Sequence, residues 1–89
     1  MIHARKARIK TYKQQAILEG ADFKYAKEII KQANILIKEA IRGGKSETRP
    51  LIMAGCSEAT LKLIKSKLLS KCYFFTLASN NQVLKIFWE

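Results

Sequence analysis

The 89-residue chain holds little of several things, and each shortage excludes something. There is one proline and only four glycines, while 48% of the residues are hydrophobic. That balance excludes a disordered or low-complexity chain, which needs low hydrophobicity. No apolar run approaches the roughly 18 residues of a membrane-spanning helix. Leu51 to Ala54 and Tyr73 to Ala78 are strand-sized. No charged leader followed by an apolar stretch reads as a secretion signal. The two cysteines, Cys56 and Cys72, flank a segment that reads as helix. At about 1.5 Å per residue they would sit about 24 Å apart, too far for an internal disulfide. Reduced thiols fit a cytoplasmic protein. With one histidine, His3, no zinc pattern can be assembled, and no cofactor motif is present. The seven acids are scattered, so neither an acid–base pair nor a metal-binding carboxylate set is legible. Cys56, at a helix start, could carry a lowered pKa, yet it has no base near it in sequence. These shortages argue against an enzyme.

What the chain has in excess is positive charge. Seventeen Lys and Arg against seven Asp and Glu give a net charge of +10. A small basic surface of this kind implies an anionic counterpart. Nucleic acid, a nucleotide, an anionic membrane and an acidic protein all qualify.

The charge is laid on an apolar rhythm. Ile2, Ile9, Tyr12, Ala16, Phe23, Ala26, Ile30, Ala33, Ile37 and Ala40 follow alternating three- and four-residue steps, broken at Arg5 and Glu19. Gly20-Ala21-Asp22 allows two readings. One is a turn with Asp22 capping a second helix. The other, which the unbroken phase favours, is a single helix passing through Gly20. The seam suggests self-association through the N-terminal helix. Gly43-Gly44 ends the helical region, and Lys45 to Arg49 reads as a polar linker.

After Pro50, Leu51 to Ala54 reads as a short buried strand. Ser57 is a fitting N-cap for a helix over about 58–71 that buries Leu61, Ile64 and Leu68. Tyr73 to Ala78 and Val83 to Trp88 read as a hairpin about a two-residue loop at Asn80-Asn81. That register pairs Leu77 with Leu84, Phe75 with Ile86 and Tyr73 with Trp88 on one face. It pairs Ala78 with Val83, Thr76 with Lys85 and Phe74 with Phe87 on the other. The expected fold is α+β. A long N-terminal helix or helical hairpin, residues 1–44, precedes a β-α-β-β unit, residues 45–89. The two fold as one unit. A right-handed parallel crossover would give a three-stranded mixed sheet.

Arg5, Lys6, Arg8, Lys10 and Lys13 are the leading phosphate-binding candidates. Lys6, Lys10 and Lys13 share one helix face, and Lys27 and Lys31 could continue that track. Phe74 and Phe87, with Lys85 beside them, could stack bases, or they could be buried under the long helix or in a subunit interface. The loop Ala54-Gly55-Cys56-Ser57 has too few glycines for a phosphate cradle, so Ser57 reads as a cap.

Three pieces of this layout, Ala40-Ile41-Arg42-Gly43-Gly44-Lys45, Ser57-Glu58-Ala59-Thr60 and Ile86-Phe87-Trp88-Glu89, resemble small accessory proteins frequent in phage genomes. The resemblance covers most of the chain at the level of layout and transfers no functional residue. It implies a viral protein in the host cytoplasm with a non-enzymatic role. Such roles include binding nucleic acid, sequestering a nucleotide signal and inhibiting a host or antiviral-defence enzyme. The expectation is a small, basic, oligomeric binding protein for a phosphate-bearing ligand, most simply nucleic acid.

Overall fold

A computed structural model describes residues 3–88, so Ile2 of the seam and the terminal Glu89 lie outside the described residues. The element order is α1 (Ala4–Leu18), α2 (Phe23–Arg42), β1 (Leu51–Ile52), α3 (Glu58–Ser70), β2 (Phe74–Ala78) and β3 (Val83–Phe87). The fold is α+β, as the sequence implies.

The first half is two helices, which corrects the reading of one continuous helix. Gly20 adopts φ +77°, a left-handed conformation that ends α1. Its N–H donates to the Ile17 carbonyl at 3.3 Å, and that of Ala21 donates to the Ala16 carbonyl at 2.9 Å. This paired closure satisfies carbonyls left over at the helix end. Asp22 then caps α2 by accepting from the Tyr25 N–H at 3.0 Å. The turn is also pinned from outside, because the Asp22 N–H donates to Thr60 Oγ1 at 2.9 Å. Thr60 itself is buried at the start of α3, where Ser57 accepts its N–H at 3.2 Å. The unbroken phase across Gly20 has a different cause from helix continuity. Both helices turn an apolar side toward the same body.

That body contains α3. Glu19 pairs with Lys62 at 2.8 Å, Lys65 lies 5.8 Å over the Tyr12 ring, and Arg5 donates to Cys72 Sγ at 2.8 Å. These contacts run in opposite directions along the two segments, so α1 lies antiparallel to α3. Ala16 is fully buried, and Ala26, Ala33, Ile37 and Ala40 are buried on α2. Ala26, Ile29, Ala33 and Ile37 join Leu51, Met53, Leu61, Ile64, Leu68, Leu84 and Ile86 in one core. The alanines of the seam and Ile37 are therefore packed inside a single chain, Ile9, Tyr12 and Ile30 are half-buried, and Phe23 stays exposed. Most of it is thus spent on the chain's own core and is not the continuous free surface that the sequence suggests.

The sheet has the order β1-β3-β2, and both pairings are antiparallel. This corrects the mixed sheet with a parallel pair. β1 and β2 do run in the same direction around the α3 crossover, but β3 inserts between them. The hairpin register is the expected one, from Phe74 with Phe87 to Ala78 with Val83. Tyr73 and Trp88 meet edge to face at 5.9 Å. The loop is longer than two residues. Ser79, Asn80 and Asn81 all have positive φ, and the Gln82 N–H closes the turn on the Ala78 carbonyl at 3.2 Å. Two- and four-residue loops centred on Asn80-Asn81 give the same register.

Residues 45–50 do more than link. Glu47 bridges to Phe87, and the Thr48 N–H donates to the Ile86 carbonyl at 2.8 Å. Thr48 Oγ1 accepts the Ile86 N–H at 3.1 Å, and Thr48 is buried. The segment thus extends β1 along β3, interrupted where Pro50 has no N–H to offer.

A lysine-rimmed cleft between the helices

α1 and α2 diverge from the pinned turn at Gly20, and both pack onto α3. A cleft of 590 Å³ opens where they part. Its apolar lining is Ile9 from α1, Phe23, Ala26 and Ile30 from α2, and Leu63 from α3. Each helix also contributes one lysine: Lys13, Lys27 and Lys67 respectively. Ser66 and Ser70 line it as well, but their hydroxyls donate to the carbonyls of Leu63 and Lys67 at 2.7 Å. Among the described residues no carboxylate lines the cleft. Phe23 is 55% exposed, so an aromatic face stands open beside the cations.

Among the described residues, ion pairs join Arg49 to Glu39 at 2.8 Å, Lys62 to Glu19 at 2.8 Å and Lys85 to Glu47 at 3.2 Å. None involves a cleft lysine. A second hollow of 430 Å³, between the end of α2 and residues 45–50, differs in this respect. Glu39 and Glu47 line it and pair with Arg49 and Lys85, so most of its charge is neutralised, with Lys45 the remaining cation. Three cations around an apolar floor raise the potential there, and a low-dielectric wall strengthens it.

The sequence candidates divide. Lys13 and Lys27 come together in the cleft, across two helices and not along one. Lys31 is exposed on α2 and does not line it. Lys6, Arg8 and Lys10 are exposed along α1. Arg5 is exposed too, but its guanidinium reaches Cys72 at the end of α3. Phe74 and Phe87 stack at 5.5 Å with 22° between planes, on the sheet face turned away from the helices. Phe74 is 56% exposed, so the long helix does not bury this pair. Lys85 lies between them and Val83 in the register and pairs with Glu47.

Lys67 and Phe23 are the members that sequence reasoning missed. Lys67 lies off the Leu61, Ile64 and Leu68 stripe of α3, and Phe23 reads as a seam residue. Only the packing of three helices brings them to one place.

Cys56 does not behave as an activated thiol. Burial pushes its pKa up, not down. Its Sγ–H points to the Ser57 carbonyl at 3.5 Å, and Ser57 caps the helix start by accepting the Thr60 N–H. Nearby, Tyr25 donates its hydroxyl to the Ala54 carbonyl at 2.7 Å, and its pKa is raised, first by desolvation and then by the Cys56 thiolate. Among the described residues no cluster of His, Cys, Asp or Glu could hold a metal ion. No described helix is long and apolar enough to cross a membrane.

Comparison of the chain with protein-family models, with curated proteins and with solved structures finds no match.

Proposed function

We propose that the protein is a non-enzymatic binder of a phosphate-bearing ligand, most simply a single strand of nucleic acid held in the cleft between α1 and α2. The observation that carries this reading is the cleft rim. Three helices each deliver a lysine to one apolar trough, which no carboxylate lines among the described residues. A duplex presents phosphates on its outside and has no use for an apolar floor. An unpaired nucleotide offers both a phosphate for the lysines and a base face for Phe23. The volume lies within the range of about 300–1,000 Å³ usual for small-ligand sites. Arg5, Lys6, Arg8 and Lys10 extend the positive field along α1, where a strand leaving the cleft would continue.

The test is fluorescence anisotropy with a labelled single strand and the matching duplex, titrated between about 50 and 200 mM salt. The single strand should bind more tightly. Lys13→Gln, Lys27→Gln and Lys67→Gln should each reduce the salt slope by about 0.7. Phe23→Ala should weaken binding by about 1–3 kcal/mol with the slope unchanged. Binding that ignores the triple lysine substitution, or no binding at low salt, refutes the reading. Competition by a free mononucleotide at equal affinity would make the ligand a nucleotide and not a strand.

A further inference from the structure

The two edges of the sheet are treated differently by the sequence. The β1 edge is a two-residue strand with a short extension over residues 46–48, and Glu47, Arg49 and Pro50 along it discourage further pairing. The β2 edge, Phe74-Phe75-Thr76-Leu77-Ala78, has no charge, no proline and no bulge. In a chain of net charge +10, it is an uncharged strand with an open side.

The backbone groups on that open side can be identified. On β3, the Ile86 N–H and C=O and the Gln82 carbonyl face the β1 side, bonded to Thr48 and Met53. Even-numbered β3 residues therefore point toward β1, and Val83, Lys85 and Phe87 point toward β2. Their partners Ala78, Thr76 and Phe74 bond inward. Phe75 and Leu77 are left with N–H and C=O directed outward. The side chains of these same two residues belong to the inner, apolar face, yet they are only half-buried. On the central strand Leu84 and Ile86 are 1% and 0% exposed. Both the backbone and the apolar face of β2 are incomplete in one chain.

We infer that β2 pairs with β2 of a second copy, antiparallel and centred on Thr76, to make one continuous six-stranded sheet. In that register Phe75 of one copy lies opposite Leu77 of the other. The pair exchanges both N–H···O bonds, and the two-fold axis repeats the exchange. Thr76 meets its own counterpart as a non-hydrogen-bonded pair on the outer face. Phe74 faces Ala78, and Lys71 falls opposite Asn81, so no like charges are opposed. The cations of α1 and of the cleft are on the helices and not on this strand. This interface is independent of the ligand proposed above.

Sedimentation across a wide range of protein concentration tests it, with two variants of Thr76. Thr76→Glu places a carboxylate across from Lys85 within one chain, so the monomer keeps its stability. At the two-fold axis the same change sets two carboxylates against each other and should weaken the dimer at least about fivefold. Thr76→Cys brings two thiols to a Cα separation of about 4.5 Å, within disulfide range, so mild oxidation should link position 76 to itself. The expected result is a wild-type dimer, a folded monomer for Thr76→Glu and a 76–76 crosslink identified by peptide mass. A wild-type chain that stays monomeric into the submillimolar range overturns the inference. So does a dimer that survives Thr76→Glu and forms no such crosslink.

Discussion

Replacing Thr48 by valine should unfold the protein at a markedly lower temperature, although the two side chains are nearly the same size. Thr48 is 3% exposed, and Ile86, whose N–H it accepts at 3.1 Å, is fully buried. Valine removes the acceptor and leaves that N–H without a partner in an apolar setting. An orphaned buried donor costs about 1–3 kcal/mol. For a domain of this size, about 1 kcal/mol corresponds to roughly 4–8 °C in Tm. The central expectation is therefore a fall of about 8–16 °C for Thr48→Val. Thr48→Ser keeps the hydroxyl and loses one methyl, about 0.8 kcal/mol, or about 3–6 °C. The order is diagnostic, because a purely hydrophobic role for Thr48 would make serine the worse substitution. Thermal unfolding followed by circular dichroism gives the two shifts. Hydrogen exchange at the Ile86 amide should accelerate in the valine variant alone. A valine variant as stable as the serine one would refute the reasoning and leave the segment held by its backbone bonds alone.

Two further predictions concern the cysteines. Cys72 ends α3 at φ +65°, with its N–H on the Leu69 carbonyl at 3.1 Å, so it occupies a place that suits glycine. Cys72→Gly should stabilise the fold by about 0.5–1 kcal/mol, the left-handed penalty less the added chain entropy, and a lowered Tm would contradict it. Burial raises the Cys56 pKa, so above about pH 8.5 the unfolded chain releases a proton that the native thiol keeps. The native state then binds more protons than the unfolded one. Its stability should be level below about pH 8 and should decline above about pH 8.5. Cys56→Ala should flatten that decline in urea unfolding measured between about pH 8 and 9, below the range where tyrosines, Tyr25 with its raised pKa included, begin to add to it, and an unchanged slope would show that Cys56 is not its source.

The charge, the element types and the hairpin register follow from local sequence. Period-2 alternation in Phe74–Ala78 and Val83–Phe87 sorts the two sheet faces before any contact is known, and Asn80-Asn81 centres the turn. Ser57 and Asp22 are legible as caps because a side-chain oxygen ahead of a helix has few other uses. Leu61, Ile64 and Leu68 share a face by helical spacing alone. The break at Gly20 was only half legible. A seam that keeps phase is produced equally by one helix and by two helices that pack on the same body. The tertiary hydrogen bond from Asp22 to Thr60 supports the second arrangement and lies outside any local window.

Tertiary structure alone decided three matters. It set β3 between β1 and β2, because strand order depends on which edges meet across the core and not on any strand's own pattern. It turned the alanine-rich seam inward onto α3 and the sheet, since the chain had an apolar body of its own to cover. And it drew Lys13, Lys27 and Lys67 to one trough, each from a different helix. The sequence by itself determined that the protein is basic, α+β and without a legible catalytic set. Where its cations converge depended on the angle between helices, which the packing against α3 sets.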